Sequence, residues 1–423
     1  MSEPDLSKYR AKNSESHYVD PSGQESSRLI YHHDRAEVTY SPFFRRLAFR
    51  RYHFPNRGPA NRTRLLHSIE VSTIASGMAR RLGLDVDLTE AISLGHDIAQ
   101  PPLGYPSESI LRNFLLGEGF SHAHLGAELL RWHSMKKTGT EQSAELEARD
   151  CFEQAKYLSG VGISTLSREA FDGIWKHTTP PDGGYDVTAD PPLTVEGQLV
   201  RIADTLAYIS QEIDEAIQMD PKLATILGNY ASKPSLSATV GTSTITMARD
   251  QLHAPPCSGS RQFGAEFLER IFGKSVGPRI VSMIARFEEY ARADVDSRLC
   301  SWKVSKCCAT QYPVLRFDPV LAFLIAFLWQ DFIGNTVNQR RRIKRVVADT
   351  RGKISRLLDL LLANVGTIKD KEFRQRMKEV TDLMPGLVKG TDKFNRRVIA
   401  NYVACLTDPE VDLVIGKLEG GTL

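Results

Sequence analysis

Apolar residues recur at intervals of three and four along most of the chain, which is the spacing of amphipathic helices rather than strands. The pattern predicts helices over 63–82, 88–97, 107–117, 122–133, 144–158, 167–177 and 194–218. The breaks fall at GLDVD, QPPLGYP and TTPPDGGYDVTADPP, where glycine and proline end helices for steric and hydrogen-bonding reasons. Between 231 and 262 the helical period gives way to Ser, Thr, Pro and Gly, predicting a long loop insertion with a short hairpin around Thr242 to Met247. Helices resume at Phe263 with FGAEFLERIF and PRIVSMIARFEEYARA. They continue through a Val320 to Val347 stretch, SRLLDLLLANV and a last helix near 394–406. Residues 1–27 are polar and Ser-rich, and are expected to be a flexible arm or a strand exchanged with a neighbouring subunit. There is no internal repeat and no alternation long enough for a central sheet. The expected fold class is all-α, with a body over 28–230, the insertion over 231–262 and a C-terminal helical region over 263–423.

Composition adds few constraints. With 423 residues, 41% apolar and 25% charged, the chain can bury a large core, and length alone would allow two or three domains. A net charge of +3 gives no global case for nucleic acid, yet seven arginines lie between Arg45 and Arg64. That cluster suits a polyphosphate ligand, or else forms a solvated loop at a subunit boundary. The run Arg340, Arg341, Arg342, Lys344, Arg345 reads as a solvated or subunit-contact face, with weak binding of nucleotide or single-stranded nucleic acid as the alternative. Six cysteines without CxxC spacing fit a reducing cytoplasm. The most apolar run, Val320 to Trp329, falls short of the roughly 20 residues that span a bilayer. It is expected to be a buried helix.

Chemistry enters with His67, His96-Asp97 and Asp204. Two imidazoles and two carboxylates delivered from three helical segments would make a site for Mn²⁺, Mg²⁺ or Fe²⁺, with positions left for water and phosphate. Arg64 precedes His67 by three residues, so both share a helix face and the guanidinium can grip phosphate oxygens. Asp204, Tyr208 and Glu212 form a polar stripe at i, i+4, i+8, opposite Leu199, Ile202, Leu206, Ile209 and Ile213. His177 closes the FDGIWKHT helix, where the C-terminal dipole favours an imidazolium, and is a further pocket candidate.

The segments FFRRLAFRRYHF, NRTRLLHSIEVS, EAISLGHDIAQPPLGYPSE, GFSHAHLGAELL, FDGIWKHT, the Asp204 helix and RRVIANYVACLTD together resemble the HD-domain superfamily. Within it they are similar to deoxyguanosine-triphosphate triphosphohydrolase-like proteins, which cut a deoxynucleoside triphosphate into nucleoside and triphosphate. The resemblance implies an HD-domain helical bundle with a C-terminal helical extension, a homo-oligomer, a nucleotide substrate and a divalent metal on His67, His96, Asp97 and Asp204. It also implies proton chemistry at Glu108 and His122. The family pattern HDxGHxPFGHxGE reads HDIAQPPLGYPSE here, so two histidines are replaced by Gln100 and Tyr105. Gln cannot titrate, and a Tyr has a reference pKa of about 10. Where the family has a Gln that contacts the deoxyribose, this chain has Tyr52 followed by His53, which would crowd a sugar hydroxyl or stack on a base. The His-Asp after the family's tyrosine becomes Gln211-Glu212. These departures leave two alternatives: a phosphohydrolase for another nucleotide, or a degenerate HD protein that binds nucleotide without turnover.

Overall fold

The computed structural model describes residues 6–12, 30–52, 62–104, 106–117, 119–137, 166–178, 191–240, 243–256, 263–292, 301–304, 311–384 and 386–423. Helices dominate it. In order they are α1 (Ile30–Tyr40), α2 (Pro42–Arg46), α3 (Arg64–Leu82), α4 (Val86–Gly95), α5 (Pro106–Phe114), α6 (His122–Lys137), α7 (Arg168–Trp175), α8 (Val195–Met219) and α9 (Lys222–Asn229). There follow strands β1 (Ser235–Val240) and β2 (Ser243–Ala248), then α10 (Arg249–Leu252), α11 (Ala265–Ile271), α12 (Val276–Arg292), β3 (Ser301–Val304) and β4 (Gln311–Val314). The last elements are α13 (Pro319–Phe327), a π-helix (Leu328–Val337), α14 (Arg341–Asn364), α15 (Lys371–Leu383), α16 (Asp392–Cys405) and α17 (Asp408–Glu419).

The chain forms two compact units. The first holds residues 1–11, 70–89 and 176–344, the second 12–69, 90–175 and 345–423. In the first, α8 is buried almost all round, with Leu199, Ile202, Leu206, Ile209 and Ile213 at its centre. Its start is fixed by Thr194, whose hydroxyl accepts the Gly197 N–H. Asp318 caps α13 and also accepts a buried forked pair of bonds from Arg286, so one carboxylate ends a helix and neutralises a cation. The Pro319–Val337 segment is long and apolar enough to cross a membrane, but Val320, Leu321, Phe323, Leu324 and Ile325 are buried as in a core helix.

The insertion over 231–262 is more ordered than the expected loop. Ser235–Val240 pairs with Ser243–Ala248 in an antiparallel hairpin, and α10 follows it directly. Alternation explains this: Leu236 and Ala238 are buried, while the Ser237 and Thr246 hydroxyls bond across the outer face at 2.8 Å. The β3–β4 hairpin is a second departure from the helical expectation. The arm beyond Lys12, the helix expected over 144–158, Tyr105 and His53 lie outside the described residues.

In the second unit, α1 presents Tyr31, Asp34 and Val38 to the core. Asp34 accepts both the N–H and the hydroxyl of Ser167, the residue that caps α7. Burial is the larger influence and pushes this carboxyl up to about 7 from its ordinary 3.8. Between about pH 4 and 7 the unfolded chain then binds fewer protons than the folded one, so stability falls as pH rises through that window and levels off above it. Asp34→Asn should flatten this slope by an amount on the order of 4 kcal/mol between its ends. Urea melts of both proteins from pH 4 to 8 provide the check, and equal slopes would show that Asp34 does not hold its proton.

Candidate metal centre

α4 was expected to include His96 and Asp97, but it ends at Gly95, and the pair sits in the turn that follows. The Ile98 N–H returns to the Gly95 carbonyl and the Gln100 N–H to the Asp97 carbonyl, which closes that turn. Close helix packing places it. A Cβ built on Gly173 of α7 would lie 2.8 and 3.1 Å from Cγ1 and Cγ2 of Ile92 on α4, and one on Gly95 would meet Ile174. Ile92 is stiff at χ1, so it cannot swing its whole branch away. Gly173→Ala should therefore destabilise the protein by about 1–3 kcal/mol despite the better helix propensity of alanine. A thermal melt at or above the parent's midpoint would show that the two helices separate freely.

Around the turn, buried side chains converge. His67 Nε2 lies 3.3 Å from His96 Nε2 and 3.7 Å from Asp97 Oδ2, and His96 Nε2 lies 3.6 Å from the same oxygen. Atoms bound to one divalent ion at roughly 2.1 Å are separated by about 3.0 Å in octahedral and about 3.4 Å in tetrahedral geometry. The three atoms thus fit a single ion after shifts of a few tenths of an ångström. His96 Nδ1 is 2.6 Å from the Ser93 carbonyl. A carbonyl only accepts, so Nδ1 carries the proton and Nε2 presents its lone pair to the cluster.

Burial alone would raise the Asp97 carboxyl, but Arg64, His96, His67 and His122 together hold it well below the usual carboxylate range. Arg64 Nη1 donates to Asp97 Oδ2 at 2.8 Å, and its guanidinium stands 4.8 Å from the Tyr52 ring. Tyr52 itself is fully buried, with its ring 4.6 Å from that of His67. On the other side of Asp97, His122 Nε2 is 3.5 Å from Oδ1, while its Nδ1 is 2.9 Å from Glu108 Oε2. Burial would lower the His122 pKa, but Glu108 and then Asp97 reverse this and raise it. For Glu108 burial is likewise outweighed by His122 and Arg112, and its carboxyl is lowered. The contact between the two thus favours the protonated imidazole and the ionised carboxylate.

Arg64, His67, His96, Asp97, Glu108, His122 and Tyr52 therefore come together in one unit. Gln100 is buried there too, and its Oε1 has no hydrogen-bond partner among the described residues. The remaining candidates belong to the other unit. Asp204 and Tyr208 are half-buried on α8, Glu212 is buried, and the Tyr208 ring lies 5.1 Å from Trp329. His177 is buried, its carbonyl accepting from Arg201. In the basic run, Arg340 pairs with Asp220 at 3.5 Å and Arg342 donates to the Met219 carbonyl, so both serve the end of α8.

The HD domain family matches residues 64–209, which contain Arg64, His67, His96-Asp97, Glu108, His122 and Asp204. The HD domain match therefore takes in every one of the expected metal ligands. A deoxyguanosinetriphosphate triphosphohydrolase-like protein of Caldanaerobacter subterraneus subsp. tengcongensis is 37% identical over 215 residues, 50% of this chain and 53% of that protein. Proteins of the same description from Desulfatibacillum aliphaticivorans and Geobacter sulfurreducens are 34% identical over 197 residues and 32% identical over 222. They cover 45% and 51% of this chain and 48% and 52% of their own lengths. The chain thus spans about half the length of the curated relatives it matches.

Two contributors to this site carry no sign in the sequence. Arg50 is 1% exposed and donates to the carbonyls of Ile98, Gln100 and Leu406. Asp408 accepts the N–H groups of Leu103 and Arg51. Nothing in the run of arginines between 45 and 64 marks Arg50 as the one that binds these backbone carbonyls.

Proposed function

We propose that this protein is a metal-dependent phosphohydrolase that cleaves a (deoxy)nucleoside triphosphate into nucleoside and triphosphate. The observation that carries the proposal is the buried triangle of His67 Nε2, His96 Nε2 and Asp97 Oδ2, flanked by the Glu108–His122 pair. The substrate class is proposed by likeness to the deoxyguanosinetriphosphate triphosphohydrolase-like relatives. His67, His96 and Asp97 hold the metal. When bound, the ion polarises a phosphoryl group and lowers the pKa of water. Arg64, already fixed on Asp97, uses its other N–H groups on phosphate oxygens. His122, held as an imidazolium by Glu108, gives its proton to the departing 5′ oxygen as that oxygen's bond to the α-phosphorus breaks and a water oxygen takes its place.

Tyr52 braces His67 and Arg64 and so acts on the ligands as well as on any nucleotide that approaches. The buried Gln100 amide, standing where a titrating group would be useful, is the observation that favours a second reading, binding without turnover. One experiment separates them. The purified protein is incubated with each nucleotide and Mn²⁺ or Mg²⁺, and the products are resolved by anion exchange. Triphosphate release is the expected result. Nucleotide bound with metal but returned intact supports the second reading, and release of single phosphates would indicate attack at another phosphorus.

A further inference from the structure

The loop 98–104 carries the chain from His96-Asp97 to the helix of Glu108, and its conformation is not one its own residues prefer. Leu103 has φ 67° and Gly104 φ 84°, so a γ-branched residue occupies the left-handed region where glycine would be at ease. Such a conformation persists only when its surroundings impose it. Those surroundings are two residues remote in sequence but within the same unit. Arg50 donates through Nη1 to the Ile98 carbonyl at 2.8 Å and the Gln100 carbonyl at 2.9 Å, and through Nε to the Leu406 carbonyl at 2.9 Å. Asp408, the first residue of α17, accepts the Leu103 N–H at 2.8 Å on Oδ1 and the Arg51 N–H at 3.2 Å on Oδ2. Each therefore bridges the loop to another segment.

We propose that Arg50 and Asp408 are positioning residues of the HD site: through them the corner between α16 and α17 holds loop 98–104 and thereby sets the separation of His96-Asp97 from Glu108 and His122. The metal ligands have their own anchors, in α3 and in the Ser93 carbonyl, so this tether governs the geometry of the proton-bearing pair relative to the ligands rather than the ligands themselves. The consequence for turnover rests on the phosphohydrolase proposal. The consequence for the loop does not.

The test compares Asp408→Ala, Asp408→Asn and the parent by hydrogen exchange, Mn²⁺ affinity and turnover. In Asp408→Ala, exchange of the 98–108 amides should quicken at least tenfold, with the α12 peptide 276–292 unchanged and the Mn²⁺ dissociation constant within about threefold of the parent. The fall should appear in kcat rather than KM. Asp408→Asn keeps one oxygen for the Leu103 N–H and should restore most of the loss. It also carries the comparison if the alanine variant does not fold. Equal loop exchange in all three proteins, or loss of protection spread evenly over both peptides, would overturn the proposal. If no protein, the parent included, turns over any nucleotide while the loop still opens selectively, the positioning role stands and the hydrolase proposal fails by itself.

Discussion

Replacing Asp97 with alanine should cost the protein both its metal and a large share of its stability. Among the described residues, Asp97 is the carboxylate that faces Arg64, His67, His96 and His122 together. Without it, a buried guanidinium and three imidazoles share a desolvated space with no anion from this residue to offset them. Removing one partner of a buried ion pair typically destabilises by about 3–5 kcal/mol. Asp97→Asn retains the shape and isolates the charge, and its Mn²⁺ affinity should drop by at least about 100-fold, since even groups that only orient ligands are worth up to that much. Thermal melts combined with Mn²⁺ titration provide the measurement. An Asn variant that is folded and binds Mn²⁺ as the parent does would remove Asp97 from the metal centre.

The second large effect is expected at His122. Its Nδ1 is 2.9 Å from Glu108 Oε2 and its Nε2 faces Asp97, so in the proposed reaction it is the group assigned to deliver a proton. His122→Ala should reduce kcat by about 10²–10⁴-fold, the usual worth of general acid–base catalysis. Mn²⁺ affinity should be nearly unchanged. Glu108→Gln keeps a hydrogen-bond acceptor for the ring but removes the charge that sustains the imidazolium, and a loss of about tenfold is expected from the weaker acid. Full activity in His122→Ala, measured at saturating substrate, would transfer the proton chemistry elsewhere. Tyr105→His should then be the variant that raises the rate; with His122 in its assigned role it changes little.

Much of this site was legible because its chemistry is written in residue types and spacing. His67 one turn after Arg64, and the adjacent His96-Asp97, are the residues that come together. Their setting was harder to read. The apolar period runs on through His96-Asp97, yet the helix stops at Gly95 because the turn closes on its own carbonyls there. α1 went unpredicted since one of its three core positions is Asp34, a carboxylate that satisfies itself on Ser167 and breaks the hydrophobic pattern. The apolar period does not predict α17, although Thr407 and Glu410 spell a capping box with Pro409 in the first turn. The β3–β4 strands have four residues each, too few to establish alternation. Arg50 and Asp408 belong to a different class of omission. Their partners are backbone carbonyls and N–H groups about 50 to more than 350 residues away, and a sequence carries no local sign of such bonds.

The central claim is that His67, His96 and Asp97 bind one divalent ion, and pulsed electron paramagnetic resonance of the Mn²⁺-loaded protein tests it most directly. Two imidazole ¹⁴N couplings at one Mn²⁺ per chain are predicted, falling to a single coupling in His67→Ala. A Mn²⁺ signal without nitrogen coupling, or one unchanged by that substitution, would contradict the account.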